Sequence, residues 1–177
     1  MSPSSSQLPA LPSVVIYTDG GCKPNPGPGG FGVVLLYARQ RAEITGGFRA
    51  TTNNRMEILA AITGLERLRV PCQVTLHSDS QYLVNAITKG WAAKWRRKNW
   101  WLNREERAKN IDLWQRLLPL CERHQVKFSW VKGHAGNREN ERCDQLCEAA
   151  RSRPSLPADE GYENPAGEDD RSPRLLV

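Results

Sequence analysis

The chain has 177 residues, of which 39% are hydrophobic and 25% charged, a composition that is ordinary for one globular domain with a sizeable core. It contains no run of about 20 apolar residues, which excludes a membrane-spanning helix. The five cysteines are odd in number and form no CxxC pair, which argues against a disulfide framework and makes a reducing cytoplasm the expected location.

The net charge of +6 is concentrated in one segment. Residues 89–109 hold eight basic and two acidic side chains, whereas residues 152–177 hold three basic and six acidic ones. A local basic patch favours a polyanionic partner more than a uniformly basic surface would. We expect a folded domain over residues 14–151, a disordered leader at 1–13 that is not a signal peptide, and an acidic, disordered tail at 152–177.

The first half of the expected domain consists of strands. Residues 14–19 are rich in β-branched and aromatic side chains, which predicts a first strand that ends at Asp19. The glycine- and proline-rich run at 20–30 predicts a loop or turn. Further strands are predicted at 31–37 and 43–48, and their short connections imply an antiparallel meander.

The second half alternates helices with strands. Apolar residues recur at helical spacing from Ile58 to Leu68, with Asn53 or Asn54 as the predicted N-cap. Pro119 is expected to end the regular part of a later helix. The element order predicts an α/β fold with a mixed five-stranded sheet and helices on both faces. The other predicted elements are strands at 74–77 and 126–131 and helices at 81–89, 111–121 and 139–151.

Four carboxylates are candidate site residues. Asp19 and Asp79 end predicted strands, where ligands bind in open α/β sheets. Glu57 borders the apolar stripe of the first long helix, and Asp144 lies in the last helix. Taken singly, each has an ordinary explanation as a turn residue, a helix-dipole partner or a solvated side chain. If they meet, their mutual repulsion indicates divalent ions such as Mg²⁺ or Mn²⁺, but the spacing alone leaves open whether they do.

Four motifs in order carry a resemblance to bacterial-type ribonuclease HI. They are YTDGGCKPNPGPGG at 17–30, TNNRME at 52–57, SDSQY at 78–82, and VKGHAGN at 131–137 with ENERCD at 139–144. The resemblance spans roughly residues 14–150 and implies the ribonuclease H-like fold. It also implies a monomeric endonuclease, with no obligate protein partner, that hydrolyses the RNA strand of RNA–DNA hybrids and leaves 5′-phosphate and 3′-hydroxyl ends.

The resemblance implies catalytic roles for five residues. The family's metal-binding quartet falls on Asp19, Glu57, Asp79 and Asp144, which would hold two Mg²⁺ ions, with Mn²⁺ as a possible substitute. His134 would assist proton transfer or product release, and its ordinary explanation is a loop histidine.

Polar residues of the first three motifs are implied to hold the two strands of the hybrid. RNA is distinguished by its 2′-hydroxyls, which lie in the wide minor groove, and the DNA strand by its shape and phosphates. Asn53 and Asn54 are alternatively helix caps. The implied RNA contacts are Cys22, Asn25, Asn53, Asn54 and Gln81, and the implied DNA phosphate pocket is formed by Asn25, Thr52 and Ser80.

The segment 91–101 resembles the basic protrusion of the family. Trp91 and Trp95 share a helix face, and Trp91 is the one expected in the core. Trp100 and Trp101 either anchor a hairpin or flank the DNA backbone. The alternative is an amphipathic helix with its tryptophans in the core and its cations solvated. The protrusion residues implied to contact substrate are Trp91, Lys94, Trp95, Arg96, Arg97, Lys98 and Trp100.

Two other interpretations stay open. One is a hybrid- or duplex-binding module without cleavage, but clustered carboxylates without a metal would repel a polyanion. The other keeps the fold and changes the reaction, as in resolvases or transposases, and the fold alone does not exclude it. The 2′-hydroxyl-reading loop and the basic protrusion argue against this second alternative.

Overall fold

The computed structural model describes residues 10–165, in which five strands form the single mixed sheet that the sequence predicts. No helix in this range is long and apolar enough to cross a membrane. The expected leader up to residue 9 and the expected tail from residue 166 lie outside it. The strands are β1 (Ser13–Cys22), β2 (Gly27–Tyr37), β3 (Gln40–Thr51), β4 (Gln73–Ser78) and β5 (Gln125–Trp130). The helices are α1 (Asn53–Glu66), α2 (Gln81–Thr88), α3 (Trp91–Arg97), α4 (Ile111–Arg123), α5 (Arg138–Arg151) and α6 (Glu160–Glu163).

The strand order β3-β2-β1-β4-β5 determines where the site lies. β1, β2 and β3 pair antiparallel, which confirms the predicted meander. β4 pairs parallel to β1, and β5 pairs parallel to β4. The carboxyl ends of β1, β4 and β5 therefore meet at one edge of the sheet, with Asp19 near the end of β1 and Asp79 directly after β4.

Helices cover both faces of the sheet, as predicted. α1 packs on one face, where its Gly64 lies against Val33 of β2, and α4 packs beside α1 and β5. Neighbouring residues of a strand point to opposite faces, so Gly32, which lies against Cys143, places α5 on the other face. The main apolar core is enclosed by the sheet, α1 and α4.

The glycine-rich segment is mostly strand, although the sequence predicts a loop over residues 20–30. Only residues 23–26 lie outside β1 and β2. A Cβ atom at Gly20 would lie 2.4 Å from a backbone carbon of α1, and one at Gly30 would lie 2.5 Å from a backbone oxygen of α5. These glycines are therefore required by the close approach of two helices to the sheet, and not by a turn.

Two predicted helix ends differ in the structure. The N-cap of α1 is Thr52, whose hydroxyl accepts from the N–H of Arg55 at 3.3 Å, and not Asn53 or Asn54. α4 continues through Pro119 to Arg123. A proline inside a helix costs about 3 kcal/mol. The apolar side of α4 packs into the core on both sides of the proline, which offsets this cost.

The segment after α5 is ordered as far as α6, where the sequence predicts disorder. Asp159 is buried and accepts hydrogen bonds from the guanidinium of Arg55 at 2.7 and 2.9 Å. The N–H of Arg49 donates to the carbonyl of Pro157 at 2.9 Å, so the segment lies along the edge of β3. An acidic, proline-rich composition does not reveal this contact, because Asp159 is 104 residues away from its partner in the sequence.

The tryptophans of the protrusion are arranged differently from the prediction. Trp91 is 38% exposed, whereas Trp100 is 5% exposed and serves as the anchor. Trp95 is half-buried, with its ring 5.9 Å from that of Trp114. Asn99 and Trp100 both have a positive φ, which turns the chain sharply so that Trp100 points inward while the next residue points to solvent.

Candidate active site

Three carboxylates meet at the edge of the sheet where β1 and β4 end. Asp19 comes from β1, Asp79 follows β4, and Glu57 reaches the same place from the second turn of α1. One oxygen of each lies within 4.8 Å of the others. Among residues 10–165 this is the one group of three or more acidic, histidine or cysteine side chains close enough to share an ion.

Asp144 reaches this cluster from α5, which packs across β1 and β2. It lies close enough to Asp19 for its charge to raise the pKa of that carboxyl. The structure therefore brings together all four carboxylates that the sequence singles out.

Burial and mutual repulsion disfavour the charged forms of these groups. Burial raises the pKa of Asp19 to about 8, and the charges of Asp79 and Asp144 act in the same direction. Burial also raises the pKa of Glu57 well above its ordinary value, with further contributions from Asp19 and Asp79. A bound cation would reverse these effects, because it stabilises the ionised oxygens.

The donor set fits a hard divalent cation. All four groups are carboxylates, which are the ligands that Mg²⁺ and Mn²⁺ prefer. Oε2 of Glu57 is buried and has no hydrogen-bond partner among the described residues. A buried acceptor of this kind is unfavourable unless something else binds it, and a metal ion would do so.

Two residues next to Asp79 are additional parts of the site that the sequence does not reveal. Asn140 is 3% exposed and lies close enough to Asp79 for its carboxamide to lower the pKa of that carboxyl, against the larger upward effect of burial. Gly133 lies so close that a Cβ atom there would be 2.6 Å from Oδ2 of Asp79. Both lie inside the fourth motif, but sequence alone does not show that they contact Asp79.

His134 lies in the loop between β5 and α5 with a positive φ of 53°. Its side chain is exposed, and it is close enough to lower the pKa of Asp79, against the larger upward effect of burial. An exposed histidine beside a carboxylate of the cluster is placed to exchange protons with solvent.

Hydrogen bonds connect the polar residues on the β1 side of the carboxylates. Oδ1 of Asn53 accepts from the N–H of Cys22 at 2.7 Å, and Oδ1 of Asn25 accepts from the N–H of Asn53 at 3.1 Å. These bonds hold the loop at 23–26 against the start of α1, next to Thr52. Asn54 is exposed in the first turn of α1.

The other residues that are predicted to contact the hybrid, outside the protrusion, lie at the start of α2. Ser80 caps this helix by accepting from the N–H of Leu83 at 3.2 Å, and Gln81 is exposed beside it. The hydrogen bonds of the described residues do not connect Ser80 with Asn25 or Thr52. The pocket that these three residues are implied to form is therefore not held together by hydrogen bonds from Ser80 to the other two.

The protrusion presents most of its cations to solvent. Lys94, Arg97 and Lys98 are exposed, whereas Arg96 forms an ion pair with Glu122 of α4. The Lys89 ammonium lies 5.3 Å from the centre of the exposed Trp91 ring. This surface is basic and aromatic, a combination typical of nucleic acid-binding proteins.

Comparisons with known proteins agree with this geometry. The sequence matches the family model described as RNase H over residues 12–152. A protein named Ribonuclease H from Syntrophus aciditrophicus is 64% identical over 149 residues, which cover 84% of this chain and 86% of that protein.

Two solved structures are similar in fold. LC9-RNase H1, described as a type 1 RNase H with the type 2 active-site motif, has a TM-score of 0.73 at 32% identity, covering 82% of this chain and 74% of that one. LC11-RNase H1, solved in complex with an RNA/DNA hybrid, has a TM-score of 0.60 at 25% identity, covering 77% of this chain and 95% of that one. From the family match, the identity and the shared fold, we conclude that this chain belongs to the ribonuclease H family of nucleases.

Proposed function

We propose that this protein is an endonuclease that hydrolyses the RNA strand of RNA–DNA hybrids with two Mg²⁺ ions and leaves 5′-phosphate and 3′-hydroxyl ends. The observation that carries the proposal is the meeting of Asp19, Glu57 and Asp79 within 4.8 Å. The hybrid bound to the related LC11-RNase H1 supports the choice of substrate. All five cysteines are free, which suits an enzyme of the reducing cytoplasm.

The four carboxylates would hold the ions, and Mn²⁺ could replace Mg²⁺. When bound, a pair of such ions activates the attacking water and stabilises the leaving 3′ oxygen. Asn140, which is buried beside Asp79, would orient the Asp79 carboxylate by donating to it from its carboxamide. His134, exposed beside Asp79, would pass protons between the scissile phosphate and solvent.

The two strands would be held on different surfaces. Cys22 at the end of β1 and Asn25 in the following loop are both hydrogen-bonded to Asn53, so the polar groups of this segment would contact the 2′-hydroxyls of the RNA strand. Gln81 and Asn54 would extend this contact, and Thr52 and Ser80 would contact DNA phosphates. The exposed cations of the protrusion would contact the DNA strand further along.

The first test is a cleavage assay with one end-labelled RNA strand. The strand is presented as an RNA–DNA hybrid, as duplex RNA and alone, with Mg²⁺ and with EDTA. We expect cutting of the hybrid alone, which EDTA abolishes, and products whose 3′ ends a polymerase extends. Tight hybrid binding without metal-dependent cutting would identify a binding module instead.

Replacing His134 by Ala is expected to lower kcat by about 10²–10⁴-fold, the range typical of removing a general acid or base. The carboxylate cluster does not depend on this exposed side chain, so metal binding and hybrid binding should be retained. Steady-state cleavage of a hybrid gives kcat, and calorimetry with Mg²⁺ gives the metal affinity. An unchanged kcat would remove His134 from the mechanism.

The basic protrusion is expected to carry the salt dependence of hybrid binding. Each phosphate contact contributes roughly one unit to the slope of log K against log salt. Replacing both Arg97 and Lys98 by Ala should therefore flatten the slope by about two units. Replacing Arg96 should have a smaller effect, because Glu122 already pairs with it.

The matched control for this experiment is Arg116→Ala. Arg116 is an exposed cation of α4 that pairs with Glu66, outside the protrusion. Its removal should leave the slope as it is in the unmodified protein. Equal slopes for the control and for the Arg97 and Lys98 double variant would show that the protrusion does not contact phosphates.

A further inference from the structure

A pocket of about 300 Å³ lies between α2 and the end of β5, outside the carboxylate cluster. It is lined by Gln81, Val84, Asn85 and Trp130. Of these, only Gln81 belongs to the expected substrate contacts. The size of the pocket is sufficient for one planar heteroaromatic ring.

Trp130 forms one wall of the pocket and is fixed in place. Its indole N–H donates to the carbonyl of Asp79 at 3.1 Å, yet the residue remains 46% exposed. The polar atom of the side chain is thus already satisfied inside the protein. What remains exposed is therefore mostly apolar ring surface, held beside the residue that carries a catalytic carboxylate.

The other walls combine an apolar floor with polar side chains. Val84 is 6% exposed, and Gln81 and Asn85 are four residues apart on α2, so they lie on the same side of the helix. Each carboxamide offers both a donor and an acceptor. An aromatic ring beside carboxamides suits a nucleobase, which stacks through its face and forms hydrogen bonds through its edge.

The position of the pocket indicates where in the hybrid the bound base would lie. The Cys22 and Asn25 loop lies on the β1 side of the carboxylates, and β5 lies beyond β4 on the other side. An RNA strand that passes from this loop across the carboxylates would next reach Trp130. A base within the hybrid is paired and stacked, so only an unpaired base has a free face and edge to offer.

We propose that this pocket binds an unpaired nucleobase of the RNA strand at the end of the hybrid, so that the enzyme prefers junctions between hybrid and single-stranded RNA. This inference rests on the proposed function for the identity of the strand. The geometry that carries it is the exposed ring of Trp130, held by its bond to the Asp79 carbonyl, in one pocket with Gln81 and Asn85.

The binding test uses a hybrid whose RNA strand carries one unpaired 2-aminopurine, placed at the 5′ end in one probe and at the 3′ end in another. EDTA prevents turnover, so the readout does not depend on cleavage. We expect the unmodified protein to quench the fluorescence of one of the two probes, because the base stacks on Trp130. Trp130→Ala should abolish this quenching.

Two further variants make the binding test specific. Trp101→Ala removes another exposed tryptophan, 40% accessible on the protrusion, and should retain the quenching. Asn85→Glu keeps the bond between Trp130 and Asp79 but places a negative charge in the pocket, and it should abolish the quenching. Quenching that persists in both Trp130→Ala and Asn85→Glu, or that is absent with the unmodified protein at either end, would overturn the proposal.

The cleavage test uses an extended hybrid, whose RNA strand has an unpaired base at the end, and a blunt hybrid without one. The value of kcat/KM is compared between these two substrates within each variant. We expect the unmodified protein to prefer the extended hybrid at least about fivefold, the lower end for stacking of one base on an aromatic side chain. The ratio should fall to about one in Trp130→Ala. Metal-dependent cleavage without this preference would reject the pocket and leave the proposed function intact. If neither hybrid is cut, the proposed function fails, and the quenching alone decides whether the pocket binds a base.

Discussion

Replacing Asp79 by Asn is expected to lower the rate of hybrid cleavage by at least about a thousandfold, on the scale of removing one member of a catalytic unit. Asn has nearly the same shape as Asp but no charge, so it is a poor ligand for a hard cation. The variant should still bind the hybrid, because Asp79 repels phosphate when no metal is bound. The measurement is single-turnover cleavage with saturating Mg²⁺, accompanied by a binding titration in EDTA.

The matched control is Glu141→Gln, which changes an exposed carboxylate of α5 that is not part of the cluster. It makes the same chemical change, so it should cleave at the unmodified rate. The metal-free Asp79→Asn protein should also be no less stable than the unmodified protein, because the substitution removes one of the charges that repel Asp19. Cleavage by Asp79→Asn within tenfold of the control would contradict the assigned role.

Replacing Arg55 by Ala is expected to lower the free energy of unfolding by about 3–5 kcal/mol, the range for breaking a buried ion pair by removing one partner. The Arg55 side chain is 4% exposed and lies 2.7 Å from carboxylate oxygens of both Asp112 and Asp159. Asp159 also accepts from the hydroxyl of Thr51 at 2.6 Å. Without Arg55, a buried carboxylate would lose its compensating charge, and α1, α4 and the C-terminal segment would lose their common contact.

The control is Arg116→Ala, since Arg116 also connects α4 to α1 through its ion pair with Glu66. Both partners of that pair are about half exposed, at 48% and 47%, so its loss should change stability by about 0–1 kcal/mol. Equilibrium unfolding in urea gives the free energy of unfolding of each variant. The two free energies can be compared directly when the m-values are equal. A loss in Arg55→Ala no larger than in Arg116→Ala would show that the ion pairs of Arg55 with Asp112 and Asp159 do not stabilise the fold.

This second prediction also concerns the active site. Arg55 is two residues before Glu57 at the start of α1, so the contact with Asp159 fixes the helix end that presents the Glu57 carboxylate to the cluster. The C-terminal segment thereby supports the cluster without touching it. The acidic composition of this segment predicts disorder, and its contribution to the site becomes visible only through the buried Arg55 contact.

Local sequence patterns were sufficient for most of the elements. The β-branched and aromatic run at residues 14–19 and the helical spacing from Ile58 to Leu68 each specify one element from its own residues. The four motifs were sufficient to nominate Asp19, Glu57, Asp79 and Asp144, and the structure brings these residues together. The positions of strand ends in a parallel pairing explain why Asp19 and Asp79 meet.

Features of the fold that depend on contacts between distant segments were decided only by the tertiary structure. The segment that contains Gly20 and Gly30 has the composition of a turn. Both glycines nevertheless lie in strands, because α1 and α5 pack directly on them. Trp91 and Trp100 are the same residue type in similar sequence surroundings, so the sequence does not distinguish them. Only the backbone turn at Asn99 decides which of the two is buried. A pattern reports the preferences of neighbouring residues, whereas burial depends on which distant segments pack together, and this is why the sequence alone does not reveal it.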